Sequence, residues 1–166
     1  MNVSEMLKDE AIKYGLCVAW TNEWGSPTKE QLVDMYIKGL DFCILNNYPS
    51  NKFIKEHFGK IAEDKGVYTD KKLDIINPPI AILNGKCTGT ITLSGFISRD
   101  IYVRHNSRIK IVIKDAAKAS IRIYDNAYVT IENETGSRIF AYKYSTDSTI
   151  VTTGNVLIRQ RSLSDL

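Results

Sequence analysis

The sequence is poor in the residues that build metal and redox sites. Its 166 residues include three cysteines, Cys17, Cys43 and Cys87, and two histidines, His57 and His105. They form neither a CxxC pair nor a Cys/His cluster at metal-ligand spacing. The cysteines are odd in number, widely spaced and flanked by apolar or small residues, so they read as buried free thiols. No metal or other cofactor is expected. No apolar run approaches the ~18 residues of a membrane span, so no membrane partner is expected either. The start, "MNVSEMLKDEAIKYG", carries acids early and lacks an apolar signal core or small-residue cleavage site, which makes cytoplasmic synthesis the expectation. Arginine is absent from residues 1–80, which hold ten lysines and twelve acids (net −2); residues 81–166 hold all seven arginines and carry +5. Neither half has the dominant basic patch of a nucleic-acid-binding domain, and an arginine-free, acidic half is poorly suited to enter a DNA groove.

What the chain does have is ordinary folding material, 43% hydrophobic and 25% charged, the composition of a soluble folded protein. The first half carries helix signals. Ser4 reads as the N-cap of a helix to about Tyr14, with Gly15 just past its end. "TNEWGSPTKEQ" reads as a loop until Thr28 and Gln31, a capping-box pair, open a second helix whose apolar side is Leu32, Met35, Tyr36, Leu40, Cys43 and Ile44. Ser50 caps a short third helix closed by Gly59, and His57 near its end suits the helix dipole. Residues 60–80 read as a helical turn, a loop and an extended linker. Trp20 and Trp24, four apart, are aromatic anchors for a loop on a small helical core or else a surface for stacking against a sugar or partner.

The second half repeats every ten residues. Ile91, Ile101, Ile111, Ile121, Ile131, Ala141 and Val151 share one column; Leu93, Val103, Ile113 and Ile123 follow two residues later, and Ile109, Ala119, Val129 and Ile139 stand two residues earlier. Gly95, His105, Asp115, Asp125, Thr135 and Ser145 fill a corner column of small or polar types. An antiparallel meander or sandwich and a parallel β-solenoid both fit this period. The breaks "RHNS", "KDAAKA", "YDNA" and "ETGS" contain one glycine, too few for a series of hairpins. The stacked isoleucines suit a solenoid, in which neighbouring coils bury one another. A decamer cannot return to its start at ~3.3 Å per residue, so two make one coil of about 20 residues. The expected fold is α+β: a helical capping region over residues 1–79, then a solenoid over 80–166 with about three two-decamer coils.

The stacked Ile/Val columns and polar corners resemble small β-solenoid modules of the bactofilin type and the repeat stalks of phage fibre proteins. Over most of its length, with "LCVAWTNEW", "EQLVDMYIKGLDFC", "YPSNKFIKEHF" and "IYVRHNSRIKI", the chain is similar to small proteins encoded in phages and prophages of gut Bacteroides-type bacteria. That resemblance implies a virion-associated or accessory role and carries over no functional residue.

A 20-residue coil would place Tyr102, Arg104, Arg122, Tyr124, Tyr142 and Tyr144 together on one outer face, the composition of a protein-interface core or of a carbohydrate-stacking platform. Lys143 would then point inward, so a slip after Gly136 could instead bury Phe140, Tyr142 and Tyr144 as a C-terminal plug. The other face, with Thr92, Ser94, Val112, Lys114, Glu132 and Glu134, is polar. Carboxylates that could support polysaccharide chemistry are sparse: Asp100 near Arg99 and Arg104, and the Glu132/Glu134 pair. The expectation is a non-enzymatic structural or binding protein with a protein partner, as a homo-oligomer or in a virion. The alternative is a carbohydrate-binding or polysaccharide-processing β-helix protein.

Overall fold

The computed structural model describes residues 1–166 and divides into two compact units, a helical one over residues 1–65 and a β unit over 66–165. The division falls earlier than the sequence pattern suggests, because the stretch read as a linker already supplies strands. No helix is long and apolar enough to cross a membrane.

In the helical unit, α1 (Val3–Lys13) begins at Asn2, whose side chain and Glu5 form a reciprocal capping box. Ser4 is therefore inside the first turn, and its hydroxyl accepts a hydrogen bond from the Trp24 indole at 2.9 Å. α2 (Val18–Glu23), a six-residue helix with no buried residue, begins before the expected loop and takes up its first three residues, Thr21 to Glu23. Thr28 and Gln31 do form the capping box of α3 (Lys29–Lys38). Gly39, at φ −98° and ψ 29°, breaks the expected second helix, and α4 (Leu40–Asn46) follows. Ser50 caps α5 (Asn51–Phe53), which runs into a π-helical turn, Ile54–Phe58, and then α6 (Gly59–Asp64). His57 lies in the π turn, its ring 4.3 Å from that of Phe53.

The β unit is a parallel solenoid. One sheet holds β1 (Val67–Thr69), β3 (Ala81–Asn84), β5 (Ser98–Val103), β7 (Lys118–Ile123), β9 (Ile139–Lys143) and β11 (Val156–Gln160). The other holds β2 (Lys72–Ile76), β4 (Thr88–Leu93), β6 (Arg108–Ile113), β8 (Tyr128–Asn133) and β10 (Thr149–Thr153). Every pairing is parallel, which rules out the meander. Residues 20 apart are partners through the middle, as in Ile101 with Ile121 and Ile111 with Ile131.

The core is the expected one. Ile91, Ile101, Ile111, Ile121, Ile131 and Ala141 are fully buried, as are Leu93, Val103, Ile113 and Ile123. Each isoleucine removed from water contributes roughly 1.5–3 kcal/mol before chain entropy is counted. Val151 departs from its column. Five residues, 144–148, separate β9 from β10, where four separate β7 from β8, so Tyr128 pairs with Thr149 at a spacing of 21. Ile150 and Thr152 take the places opposite Val129 and Ile131, and Val151 is 45% exposed. The first coil is short, with Val67 opposite Ile82 and Lys72 opposite Thr88. The last is short as well, with Ile139 opposite Val156. Cys43 and Cys87 are buried as expected, whereas Cys17 is exposed; none of the three forms a disulfide.

The corner column has a structural role. His105, Asp115 and Asp125 adopt left-handed backbone, φ 54° to 57°, a conformation that Asp, Asn and His tolerate better than most residues. Each uses its side chain to accept a backbone N–H one coil back: Gly85 donates to His105 Nδ1 at 2.8 Å, His105 to Asp125 Oδ2 at 2.9 Å, and Gly95 to Asp115 Oδ2 at 2.9 Å. Corner backbone that no strand partner satisfies is thereby paired along the axis.

His105 needs an unprotonated Nδ1 to accept from Gly85. Burial lowers its pKa below the usual 6.5, Arg104 adds to the shift, and Asp125 and Asp70 oppose it. The folded protein thus takes up this proton less readily than the unfolded chain. Stability from this site is full above pH 6.5 and is lost as the pH falls from there through the folded-state pKa. His105→Asn keeps an acceptor and tolerates φ of 56°, as Asn77 shows at φ 49° by accepting the Ser94 N–H at 2.8 Å. Denaturant titrations at pH 7.5 and 5.0 should show a smaller loss of stability in the variant than in the wild type; equal losses would remove His105 as the cause.

Candidate functional site

The outer face of the six-stranded sheet carries an organised ladder of half-buried aromatic and cationic side chains. The alternation that points Ile101, Ile121 and Ala141 inward turns Tyr102, Arg122 and Tyr142 outward, and the 20-residue register stacks them in one ladder. The Arg122 guanidinium lies 5.0 Å from the Tyr102 ring centroid and 5.9 Å from that of Tyr142. Arg161 covers Tyr142 at 5.4 Å, and Arg159 covers Phe140 at 5.0 Å. Aromatic and cationic rungs therefore alternate along the sheet. Arg122 also donates to Asp100 Oδ1 at 3.0 Å, with its side chain 27% exposed. Burial disfavours its charge, but the bond to Asp100 and the nearby tyrosines outweigh burial and raise its pKa. Lys118, Arg138, Arg159 and Arg161 are exposed, so the face is basic around its one acid, Asp100.

Of the six residues the sequence places on this face, three do not lie in its accessible ladder. Arg104, Tyr124 and Tyr144 stand just past the strands, where the chain turns: the Ser107 N–H donates to the Arg104 carbonyl and the Ala127 N–H to the Tyr124 carbonyl. Arg104 is 3% exposed and donates to the buried Asn84 Oδ1 at 2.8 Å. Tyr124 is 1% exposed and stacks on the half-buried Tyr144 with ring centroids 4.7 Å apart and planes 17° apart. These three form a second, structural ladder at the corner. Strict alternation had carried the outward assignment two residues too far.

No slip shifts β9 after Gly136; the register changes only beyond it, at β10. Ile121 pairs with Ala141 and Ile123 with Lys143, so Phe140 and Tyr142 stay on the outer face, half-buried. Lys143 occupies a core-column place near the end of the solenoid, where the packing opens: Ile158, opposite Ala141, is 42% exposed, and Gln160, opposite Lys143, is exposed. The sequence pattern missed Arg159 and Arg161 because Ile139 pairs with Val156 at a spacing of 17. The available signal was Gly154-Asn155, a turn dipeptide inside the last decamer.

On the other sheet, Lys110 binds Glu132 at 3.0 Å, Val112 is buried, and Glu134 lies beyond the end of β8. Glu132 is thus held in an ion pair on the flat face while Glu134 belongs to the corner. Arg99 is engaged separately, donating to the Pro78 carbonyl at 2.8 Å.

No family model matches the chain, and neither a curated protein nor a solved structure matches it.

Proposed function

We propose that the protein is a non-catalytic binding scaffold whose Tyr102–Arg122–Tyr142 face recognises an acidic protein surface. The alternating ladder carries this reading. Its rungs are fixed by strand register rather than by loops, so little side-chain freedom is lost on contact, and Tyr and Arg are the side chains that anchor interfaces. The surrounding Lys118, Arg138, Arg159 and Arg161 favour an acidic partner over a second copy of the same basic face. A virion-associated or accessory setting is the one that the resemblance to phage-encoded proteins implies.

The test is the double substitution Arg122→Ser/Tyr142→Ser, since replacing the buried Tyr124 would test stability instead. The variant should keep the wild-type circular dichroism spectrum and lose at least ~10-fold in affinity for captured acidic proteins, about 1.4 kcal/mol. Unchanged protein capture, particle size by light scattering and glycan-array binding would show that the face has no recognition role. Loss of glycan binding alone would replace the protein partner with a carbohydrate.

A further inference from the structure

We propose that the helical unit binds a small apolar molecule with one negative charge, of the medium-chain carboxylate class, its tail in a cavity beside α2 and its head group at Lys38. This site is separate from the Tyr/Arg face and does not depend on it.

The cavity has a volume of about 310 Å³ and lies within the helical unit. At ~30 Å³ per water-sized group, it has room for roughly ten non-hydrogen atoms. Leu7, Ala11, Leu32 and Cys43 form part of its buried wall, with Trp20 and Phe42 half-buried beside them. The polar ends of two aromatic lining residues already have partners. The Tyr48 hydroxyl donates to the Leu7 carbonyl at 2.7 Å, and the Trp24 indole to Ser4. Burial pushes the Tyr48 pKa far above its usual value, with Cys43 and Glu10 adding to the shift, so the hydroxyl stays neutral. The wall therefore offers an occupant mainly carbon surface, as ligand pockets generally do.

One wall is lightly held. No residue of α2 is buried, and its Val18 is 74% exposed, while Trp20 from the same helix lines the cavity. The ring lies against Gly39, where an added Cβ would stand 3.4 Å from Trp20 Cη2 and 3.3 Å from the Met35 carbonyl oxygen. A helix with so little burial can shift at low cost, which gives an occupant a way in.

Charge sets the class of molecule. The exposed Lys38 ammonium is 5.5 Å from the Trp20 ring centroid, next to Gly39 in the wall. Glu10 acts on Tyr48. An anionic head group is drawn to the Trp20 side and repelled from the Tyr48 side, which orients the molecule in the cavity.

The 166-residue protein reports on its own occupancy. Trp20 and Trp24 are its only tryptophans, and both line the cavity. Cys17 also lines it and is the one exposed cysteine. Titration at pH 8 with decanoate, decanol and decylamine should give a saturable change in tryptophan fluorescence. Decanoate should bind at least ~5-fold more tightly than decanol, and decylamine most weakly, with Cys17 alkylation slowed in the same order. Lys38→Glu removes the Trp20 contact and a cation from the last turn of α3, so it should lower the melting temperature modestly while leaving the protein folded, and reverse the order of decanoate and decylamine. The proposal is overturned if no probe gives a saturable signal by about 1 mM. It is equally overturned if all three bind alike and Lys38→Glu changes nothing, the behaviour of a non-specific apolar surface.

Discussion

Ile121→Asp is expected to abolish cooperative folding of the β unit. Ile121 is fully buried, paired with Ile101 on one side and Ala141 on the other. The substitution removes roughly 1.5–3 kcal/mol of apolar burial. It also places an uncompensated carboxylate where ionisation costs several kcal/mol, against a total stability of ~5–15 kcal/mol. Loss of the far-ultraviolet β-signal at low denaturant is the expected observation. Because both tryptophans lie in residues 1–65, their fluorescence follows the helical unit independently. Thr130→Asp is the control, since Thr130 faces outward opposite Lys110. Ser120 serves less well because its register partner is Asp100. Equal tolerance at positions 121 and 130 would mean that the inward column is wrongly assigned.

The second large effect is expected at Gly89. Its φ is +113°, and a Cβ there would come within 1.9 Å of the Leu73 carbonyl oxygen. Gly89 pairs with Leu73 on one side and Ile109 on the other, at the step from the short first coil to the 20-residue coils. Gly89→Ala meets a backbone cost on the order of 1–3 kcal/mol for the conformation alone, and the overlap with strand β2 adds to it. Gly95 separates the two contributions. It has φ +83° and no atom within 4 Å of an added Cβ, so Gly95→Ala incurs only the backbone cost. Denaturant midpoints should rank wild type above Gly95→Ala and Gly95→Ala well above Gly89→Ala. Indistinguishable midpoints for the two variants would mean that the close approach to Leu73 has no energetic weight.

The pattern of residues 91–141 was legible because its physics is local and repeated. Apolar side chains at alternate places, with polar corners at intervals of ten, define both the inward columns and the 20-residue register. What lay outside that pattern was less legible for the same reason. β1 and β2 belong to a shortened coil, so Leu73 joins the core from a stretch that matches no column. One extra residue between β9 and β10 moved Val151 outward. In the helical unit, Ser4 and Asn2 are both good capping residues, and the choice fell to Asn2 because Glu5 is three residues on and can reciprocate. The candidate face was half legible. Position 102, 122 or 142 can be assigned by alternation, but the burial of Arg104 and Tyr124 depends on where the chain turns. Arg161 reaches Tyr142 only because the final coil is short.

The corner bonds from His105, Asp115 and Asp125 make the middle coils interchangeable parts. Each links a corner to its equivalent 20 residues earlier, so every coil presents its neighbours with much the same hydrogen-bonding and packing surface. In such an array stability is a sum of unit and nearest-neighbour contributions. A segment such as 104–123 is therefore a natural quantum of growth: duplicating it lengthens the stack by one strand spacing, ~4.8 Å, in each sheet while preserving the junctions on either side. The irregular first and last coils do not repeat in this way. Length can thus vary in whole coils between two fixed ends, and the outer ladder of Tyr102, Arg122 and Tyr142 would gain or lose rungs with it.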